Sequence, residues 1–592
     1  MESPRSTNVA SLKKLRRIPV WVALFAAVFI HCLQAADLNL EITPCFEGRP
    51  MAGSTAATDS KLTISRLDWL VSGLALKRVD GSWMEGASDW HAYYGLDGKR
   101  VGTRADGVPD GDYTAIRFRV GVDKVADGSD PNIYPVGDAL HPDVCGLHWS
   151  WQGGYIYLAI EGKRLRADGA SDGFSYHLAR VVDGMTVELP VKFSAGSPLT
   201  IEVRLHADRI LQGVDFDKDG LSTHSREGDS LAPRMMENVR GAFEVIGVKA
   251  DIFQDTNADP VAAPVALPKG TAPYKLDITR RFPAVKLPAD NPLTEEGVAL
   301  GRKLFNDPRL SINNSQSCAS CHLREHAFTD PRRLSIGATG DIGKRNAMPL
   351  FNLAWASDYF WDGRAATLRD QVLVPLQDPH EMAESLENVV KKLEADDSYR
   401  DAFRRASGEA GITSTKLALA LEQFLLTLVS QDAKFDRAVR KLDTFTPDES
   451  RGLELFLTEF DPARGMRGAD CFHCHGGTLF TSHKYADNGL DLKPVDSGRM
   501  TVTGDETDRG KFKIPSLRNV ELTAPYMHDG RFKTLEEVVE HYSSGVHRSP
   551  NLDPNLAKHP DEGIKLSSND KRALVAFLKT LTDRSFVAPK QQ

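Results

Sequence analysis

The first part of the chain alternates between hydrophobic and polar residues with a period of two. The runs Ile116–Val120, Val187–Phe193 and Leu199–Leu205 all place a hydrophobic side chain at every second position. Alternation over many short runs, separated by Asp-Gly and Gly-Gly turns, is typical of strands with one buried face. We therefore predict an all-β sandwich or barrel over residues 37–253.

The period changes near residue 291, where hydrophobic residues begin to recur at helical spacing. Leu417, Leu421, Phe424 and Leu428 form one helical face. Helices opened at Thr294 and by a capping box at Thr446 end near Phe305 and Phe456, and a C-x-x-C-H sequence follows each of them. This weak internal repeat predicts a mainly α unit of two cytochrome c-like subdomains, 291–443 and 444–592. Residues 254–290 are rich in Pro and Ala and predict a semi-rigid linker.

The two C-x-x-C-H sequences indicate covalent haem. They comprise Cys318, Cys321 and His322 in the first, and Cys471, Cys474 and His475 in the second. In such a motif the cysteines form thioethers to the porphyrin and the histidine binds iron. The alternative is two zinc or disulfide pairs. Because both pairs carry the histidine, we expect two haems c, with electron transfer or peroxide chemistry as the function.

The N-terminus predicts export. A basic segment precedes the hydrophobic run Ile18–Ile30, and small residues follow, as in a secretory signal covering residues 1–36. An uncleaved anchor is the alternative, and no later segment is long and hydrophobic enough to span a membrane. We expect a periplasmic or secreted protein. The net charge of −8 gives no reason to expect a nucleic-acid partner.

Seven cysteines are present in the full sequence. Cys32 falls in the predicted signal and four cysteines belong to the haem motifs. Cys45 and Cys145 remain, and an oxidising compartment favours a disulfide between them. Two independent thiols, which could also bind a metal, are the alternative.

The second half of the chain resembles the di-haem cytochrome c peroxidase family. The resemblance rests on Phe360–Arg364, on His380–Met382, on Thr523–Gly530 and on Val538–Tyr542. It implies a peroxide-binding N-terminal haem and a C-terminal haem with two protein ligands. It further implies the following roles: Trp361 between the haems; Gln371, Pro375 and Glu381 in the distal pocket; His528 at a haem propionate; Asn346, Thr523 and Pro525 at a calcium ion between the subdomains.

Tyr542 stands where peroxidases of this family that only remove peroxide have methionine. Methionine raises the haem potential, whereas a phenolate-type oxygen favours higher oxidation states of iron. This half is therefore similar to the MauG-type and MbnH-type members. That likeness implies that peroxide generates a high-valent haem pair, which oxidises aromatic residues of another protein at long range.

The first half resembles the copper-associated MbnP family. The resemblance rests on His148–Tyr155, Tyr176–Leu178, Thr223–Ser225 and the early Cys45. It implies a tryptophan that is oxidised to kynurenine and then helps to bind copper. Trp149 and Trp151 are expected on one face of a strand, whereas Trp83 and Trp90 lie in a turn-rich stretch and could reach a partner surface. The candidate copper ligands are His91, His148, His177 and His224.

An enzyme and its substrate are thus expected in one chain, which makes their encounter intramolecular. The leading hypothesis is an oxidoreductase that uses hydrogen peroxide to oxidise a tryptophan of its own β domain, with Trp90 and then Trp83 favoured. This oxidation would create a copper site. One alternative is a peroxidase that scavenges peroxide with electrons from a small cytochrome or cupredoxin. Another is a copper-binding protein whose haems only relay electrons.

Overall fold

The computed structural model describes residues 36–51, 56–57, 61–86, 89–135, 137–149, 153–180, 185–250, 266–285 and 287–588. The signal segment predicted before residue 36 and the linker residues 251–265 lie outside these ranges. Among the described helices, none combines the length and the hydrophobicity that a membrane crossing requires.

The first half of the chain forms two β-sheets, as the alternating pattern predicts. Its strands are β1 Ala36–Phe46, β2 Arg49–Pro50, β3 Ala56–Ala57, β4 Leu62–Arg78, β5 Trp83–Glu85, β6 His91–Gly95, β7 Arg100–Val101, β8 Arg104–Val108, β9 Gly111–Val120, β10 Ile156–Leu165, β11 Ser171–Ala179, β12 Met185–Ala195, β13 Leu199–His206, β14 Ser222–Thr223 and β15 Phe243–Ala250. The described residues of this half also form four short α-helices: α1 Lys124–Asp127, α2 Pro142–Cys145, α3 Ala207–Ile210 and α4 Leu231–Arg240.

The smaller sheet has the strand order β15-β13-β1-β2, and β8 also pairs with β1. The larger sheet has the strand order β12-β9-β4-β10-β11-β14. In this larger sheet β3, β5 and β6 also pair with β4, and β7 pairs with β6. Strands β1 and β13 run parallel. Side chains of both sheets share one hydrophobic core, in which Phe118 of β9 meets Phe243 of β15 edge to face at 5.3 Å. The hydroxyl of Tyr94 in the larger sheet donates to the carbonyl of Leu40 in the smaller one at 2.6 Å. The two sheets therefore act as one packed unit.

The second half is mainly helical. Its helices are α5 Glu295–Phe305, α6 Leu368–Gln377, α7 Leu386–Glu394, α8 Asp397–Ser407, α9 Ser414–Leu426, α10 Lys434–Val439, α11 Pro447–Leu457, α12 Met500–Thr503, α13 Leu535–Glu540, α14 Pro554–Ala557, α15 Ser568–Lys579 and α16 Arg584–Val587. Two short ribbons, β16 Phe460–Asp461 with β17 Met466–Arg467 and β18 Tyr485–Ala486 with β19 Phe512–Lys513, complete it. One hydrophobic core is built around α5 and α9, and a second around α11 and α15.

The two cores repeat the same helix crossing. A Cβ placed on Gly301 of α5 would lie 1.9 Å from the carbonyl oxygen of Ala420 in α9, and one on Gly452 of α11 would lie 2.0 Å from that of Ala573 in α15. One turn later Phe305 and Phe456 pack on phenylalanines of the partner helices, at ring separations of 5.3 and 5.1 Å. The internal repeat in the sequence thus has a physical basis, since only glycine allows so close an approach of the helices.

The described part of the predicted linker packs on the haem half. Trp355 donates its indole N–H to the carbonyl of Pro283 at 3.0 Å and packs on Phe282. Thr279 donates its backbone N–H to Gln431 at 2.9 Å. The described residues 266–285 therefore belong to the surface of the haem half rather than to a spacer.

The β half lies against the C-terminal haem subdomain. Lys163 of β10 donates to the carbonyl of Pro550 at 3.0 Å, and Arg464 donates to the carbonyl of Ser222 in β14 at 2.7 Å. This contact places the ends of β10, β11 and β14 over the loop that carries the second haem motif.

Candidate active site and domain interface

The first haem motif begins in a short 3-10 turn, Cys318–Ser320, and opens into a cavity of about 650 Å³. His322 lines this cavity together with both cysteines of the motif. Its Nδ1 donates to the carbonyl of Phe328 at 2.8 Å, which leaves Nε2 to bind iron. Burial lowers the pKa of His322 and so favours the neutral imidazole that metals require. These residues fit a covalent haem c.

The predicted distal residues line the same cavity. Gln371 and Pro375 lie on helix α6, and Glu381 follows in the next turn. Burial, assisted by the nearby Asp378, raises the pKa of Glu381 to about 7. A carboxyl group with such a pKa can both accept and release a proton near neutral pH. The cavity thus holds a proton-transfer group beside the haem position.

The second motif, Cys471–His475, faces Tyr542. Nδ1 of His475 lies 3.3 Å from the carbonyl of Phe480, and burial lowers the pKa of His475 to about 4. Tyr542 lies in a π-helical segment, His541–Gly545, and its hydroxyl accepts a hydrogen bond from Asn488 at 3.2 Å. Burial raises the pKa of Tyr542 to about 12, and the neighbouring thiols of Cys474 and Cys471 act in the same direction.

Tyr542 is therefore a buried phenol close to the haem-binding cysteines, which fits an iron ligand. Its neighbour His541 is held elsewhere, because Nε2 of His541 donates to the carbonyl of Asn488 at 3.0 Å. This bond occupies the imidazole that could otherwise compete for iron.

Trp361 lies between the two haem subdomains and is buried. Its indole N–H donates to the carbonyl of Asn346 at 2.9 Å, and its own carbonyl accepts from Lys513 of the second subdomain at 2.8 Å. Trp361 also lines the cavity of the first haem. The side chain is therefore fixed at the boundary between the two haem subdomains.

The residues expected at calcium and at the propionate have other visible partners. The amide of Asn346 donates to the carbonyl of Arg333 at 3.1 Å, and Pro525 lines a separate surface cleft. Thr523 donates its hydroxyl to the carbonyl of Val520 at 3.3 Å. His528 stacks on Phe512 at 3.7 Å. A calcium site and a propionate contact remain predictions.

Two of the four candidate copper ligands come together. Nδ1 of His177 on β11 lies 3.1 Å from Nε2 of His224, beyond the end of β14. His91 instead lies 3.6 Å from Asp123, and His148 packs edge to face on Tyr155. The structure thus separates His91 and His148 from the pair.

A third histidine, His473 of the second haem motif, joins this pair from the other half of the chain. Its Nε2 lies 3.1 Å from Nε2 of His224, and its side chain is only 2% exposed. His473 stands at the second variable position of its C-x-x-C-H sequence, to which the motif itself assigns no role. The sequence carries no signal that would have linked it to residues of the β half.

Charged residues surround the three histidines. Glu161 bonds both Arg66, at 2.6 Å, and His177, at 2.9 Å. On the haem side Lys558 lies 3.0 Å from Glu459 and 3.1 Å from Asp470. Burial lowers the pKa of His177 to about 3 despite Glu161, so this imidazole is neutral.

The tryptophans of the β half differ sharply in position. Trp149 packs on His224 at a ring separation of 5.8 Å, and His224 in turn contacts Phe472 and His473 of the haem motif at 5.8 and 5.1 Å. Trp149 lies in a loop rather than on a strand, which corrects the prediction. Trp151 falls outside the described residues.

The two tryptophans favoured from the sequence, Trp90 and Trp83, have partners within the β half. Trp90 is buried, not on a partner surface, and donates its indole N–H to the carbonyl of Arg104 at 2.9 Å. Trp83 lies between two cations, with Arg117 at 4.3 Å and Lys77 at 5.4 Å from its ring centre. Of these three tryptophans, only Trp149 packs on a residue, His224, that itself contacts the second haem motif.

The predicted disulfide between Cys45 and Cys145 is absent, and both are buried free thiols. Sγ of Cys45 on β1 lies 3.4 Å from Nδ1 of His206. Cys145 ends helix α2, and its thiol lies 3.6 Å from the carbonyl of His141. Each thiol is thus held by its own local partner, and the alternative of two independent thiols is the one observed.

The cavity at the first motif, the two haem motifs and Trp361 between the subdomains together define an oxidoreductase with two haems c. Comparisons with known proteins specify it further. The family model "Di-haem cytochrome c peroxidase" matches residues 295–444, and the model "MbnP" matches residues 35–225. The methylamine utilization protein MauG of Methylorubrum extorquens is 37% identical over 305 residues, which is 51% of this chain and 82% of that protein.

Two further proteins show the same similarity. The cytochrome c551 peroxidase of Nitrosomonas europaea is 36% identical over 306 residues, 51% of this chain and 84% of that protein. A solved MauG-like protein associated with microbial copper homeostasis is 35% identical and covers 54% of this chain and 98% of its own, with a TM-score of 0.49. The chain belongs to the di-haem cytochrome c peroxidase family with its MauG-like members, and it carries an MbnP domain in front of the haem unit.

Proposed function

We propose that this protein uses hydrogen peroxide to oxidise a tryptophan of its own β domain, and that Trp149 is the residue modified. The observation that carries the proposal is the continuous contact from the second haem motif through His224 to Trp149. We place this reaction in the periplasm or outside the cell, in keeping with the predicted signal.

Two bound haems c would supply the oxidising equivalents from peroxide. The residues of the chain provide proton transfer and electron paths. Glu381 can take the proton from one peroxide oxygen and deliver it to the other, which assists cleavage of the O–O bond. Trp361 offers an oxidisable ring between the subdomains, and Tyr542 would provide an oxygen ligand to a bound haem in place of methionine.

The product would be N-formylkynurenine or kynurenine. Oxidation of tryptophan to N-formylkynurenine adds two oxygen atoms and removes four electrons, which two molecules of hydrogen peroxide accept while forming water. Hydrolysis then releases formate and leaves kynurenine, which has one oxygen more and one carbon less than tryptophan. Hydrogen peroxide is therefore the only oxidant required.

The arrangement in one chain supports modification in cis. The β half is held on the C-terminal haem subdomain by contacts such as Arg464 to Ser222. Dilution does not change the concentration of a tethered substrate. We therefore expect the fraction of modified Trp149 to be the same at high and low protein concentration.

A peptide map of the holoprotein before and after addition of peroxide tests the proposal. The peptide containing Trp149 should gain the mass of the oxidised product at both concentrations. An unmodified Trp149 in protein whose haems have reacted with peroxide would disprove it, and modification that increases with concentration would show that it occurs between molecules.

The second candidate function is removal of peroxide with electrons from a small cytochrome or cupredoxin. The similarity to the cytochrome c551 peroxidase, which is nearly as high as that to MauG, favours it. Tyr542 argues against it. Rapid catalytic turnover with a reduced small donor protein would favour this candidate, whereas slow turnover would favour oxidation of the β domain.

A further inference from the structure

Three buried histidines converge at the boundary between the β half and the haem half. His177 and His224 come from the β half and His473 comes from the second haem motif. Nε2 of His224 lies 3.1 Å both from Nδ1 of His177 and from Nε2 of His473, and the three atoms lie within 4.8 Å of one another. The cluster is formed only when the two halves meet.

Each of these imidazoles turns its other nitrogen toward a carboxylate. Nε2 of His177 lies 2.9 Å from Glu161. Nδ1 of His224 lies 2.9 Å from Glu459, and Nδ1 of His473 lies 3.1 Å from Asp470, both somewhat off the ideal hydrogen-bond direction. A carboxylate beside a ring nitrogen favours the tautomer with the proton on that nitrogen, because a bare lone pair there would be repelled.

The tautomers leave three lone pairs facing one another. A neutral imidazole with its proton at the carboxylate has an unprotonated nitrogen on the other side of the ring. The lone pair of His224 Nε2, 3.1 Å from each of the other two nitrogens, is repelled by theirs unless a cation lies between them. Histidines that bind metals in proteins usually show this pattern, with one nitrogen on the metal and the other on a carboxylate.

The spacing also suits a metal ion. Imidazole nitrogens bind such metals at about 2.0–2.1 Å, which places neighbouring ligands of a tetrahedral site about 3.3 Å apart. The observed 3.1 Å is close to this separation. Little movement of the rings would be needed to bind the ion.

The surrounding charge favours a cation. Four buried carboxylates surround the cluster: Asp68, Glu161, Glu459 and Asp470. Three basic side chains face them, namely Arg66, Lys558 and the half-exposed Lys484. With neutral imidazoles, four negative and three positive charges leave one negative charge in excess. Two further titratable groups adjoin this network: His559, which bonds Asp470 at 2.8 Å, and Asp553, which lies near Glu161.

We propose that His177, His224 and His473 bind one copper ion at the boundary between the two halves. The coordinating atoms are imidazole nitrogens, which suit copper and zinc, and for a given nitrogen site copper binds more tightly than zinc. This assignment differs from a copper site within the β half, because one of its three ligands comes from the haem motif. It does not depend on oxidation of any tryptophan.

The site links the halves and lies beside the second haem. His473 directly precedes Cys474 and stands two residues before His475. A short covalent path would therefore connect a copper ion on His473 with the haem thioether at Cys474. Binding of the ion would also stabilise the contact between the halves, since unbinding would require His473 to separate from the other two ligands.

Metal analysis of the full-length holoprotein tests the site. The protein is stripped with a chelator, offered equal amounts of Cu²⁺ and Zn²⁺, desalted and measured for metal per chain beyond the haem iron. We expect one copper per chain, and an electron paramagnetic resonance spectrum of Cu²⁺ with splitting from three nitrogens. His473→Gln should bind copper about tenfold more weakly or worse. His91→Gln, a matched change outside the cluster, should bind it normally.

Haem content by the pyridine haemochrome assay controls for incorrect maturation of His473→Gln. If that variant lacks haem, His224→Gln, which lies in the β half, replaces it. Full copper binding by either haem-loaded variant would overturn the proposal, as would a preference for zinc. Absence of any bound metal in wild type would also overturn it.

Discussion

The ring of Trp149 lies 5.8 Å from the ring of His224, which itself touches the second haem motif. This relationship connects a residue of the MbnP domain with the haem unit through two side chains. It also sets the order in which the tryptophans of the β half should react.

Trp149→Phe should abolish the peroxide-dependent modification of the β half, because phenylalanine is much harder to oxidise than tryptophan. Trp90→Phe is the matched control and should leave it unchanged. Arg180 lies 5.3 Å from the ring centre of Trp149 and opposes loss of an electron from it, so Arg180→Gln should accelerate the modification. Peptide mapping by mass spectrometry measures all three. Persistent oxidation elsewhere in the β half of Trp149→Phe would refute the assignment.

Glu381 should give the reaction with peroxide a pH dependence. Its pKa is raised to about 7, so the carboxylate that accepts a proton from peroxide becomes populated as the pH rises through 7. The rate of haem oxidation by peroxide should therefore increase from pH 6 to pH 8 in wild type. In Glu381→Gln it should be at least about a hundredfold slower and independent of pH over this range. Stopped-flow spectra provide the rates, and an unchanged profile in the variant would remove Glu381 from the proton path.

Tyr542→Met should raise the reduction potential of the second haem, since methionine as an axial ligand favours ferrous iron. Both haems should remain attached, and modification of the β half should be lost. A spectroelectrochemical titration measures the potential. Tyr542→Phe, which removes the oxygen but keeps the ring, separates loss of a ligand from gain of a sulfur. Equal potentials in wild type and in both variants would mean that Tyr542 does not bind the iron.

Trp361→Phe should uncouple the two haems. The ring bridges the subdomains, and its replacement by phenylalanine removes an oxidisable group while keeping the packing. The first haem should still react with peroxide, but the second should respond much more slowly. Rapid-mixing spectra resolve the two haems, and simultaneous changes at wild-type rate would argue against this role of Trp361. Trp355→Phe, another buried tryptophan of the same subdomain, is the control.

Gly301→Ala and Gly452→Ala should destabilise their respective haem subdomains. In each, the new Cβ would lie 1.9 to 2.0 Å from a carbonyl oxygen of the partner helix, so the helices must move apart. We expect a loss of about 1–3 kcal/mol, as for other overpacked cores. Differential scanning calorimetry of the holoprotein measures it. Gly241→Ala, whose Cβ would lie 3.7 Å from its nearest neighbour, the carbonyl oxygen of Asn238, should change the melting temperature little.

The sequence by itself determined those features that are local along the chain. The haem motifs place all their covalent ligands within five residues, so no fold is needed to recognise them. The period-two pattern determined the β half, and the capped helices before each motif determined the repeated subdomains, because burial of one face requires that spacing. Gln371, Pro375 and Glu381 could be named in advance because of the resemblance to the di-haem cytochrome c peroxidase family.

Only the tertiary structure decided which distant residues meet. His224 and His473 are 249 positions apart and come together because the β half lies on one face of the second subdomain. By elimination, Cys45 and Cys145 were expected to form a disulfide. Instead, the thiol of Cys45 contacts the ring of His206, and the thiol of Cys145 contacts the carbonyl of His141. Trp149 likewise lies near the second haem motif because the β half packs on the second subdomain. Periodicity and motifs report which face of an element is buried, but not against which other element, and that choice depends on the packing of whole domains.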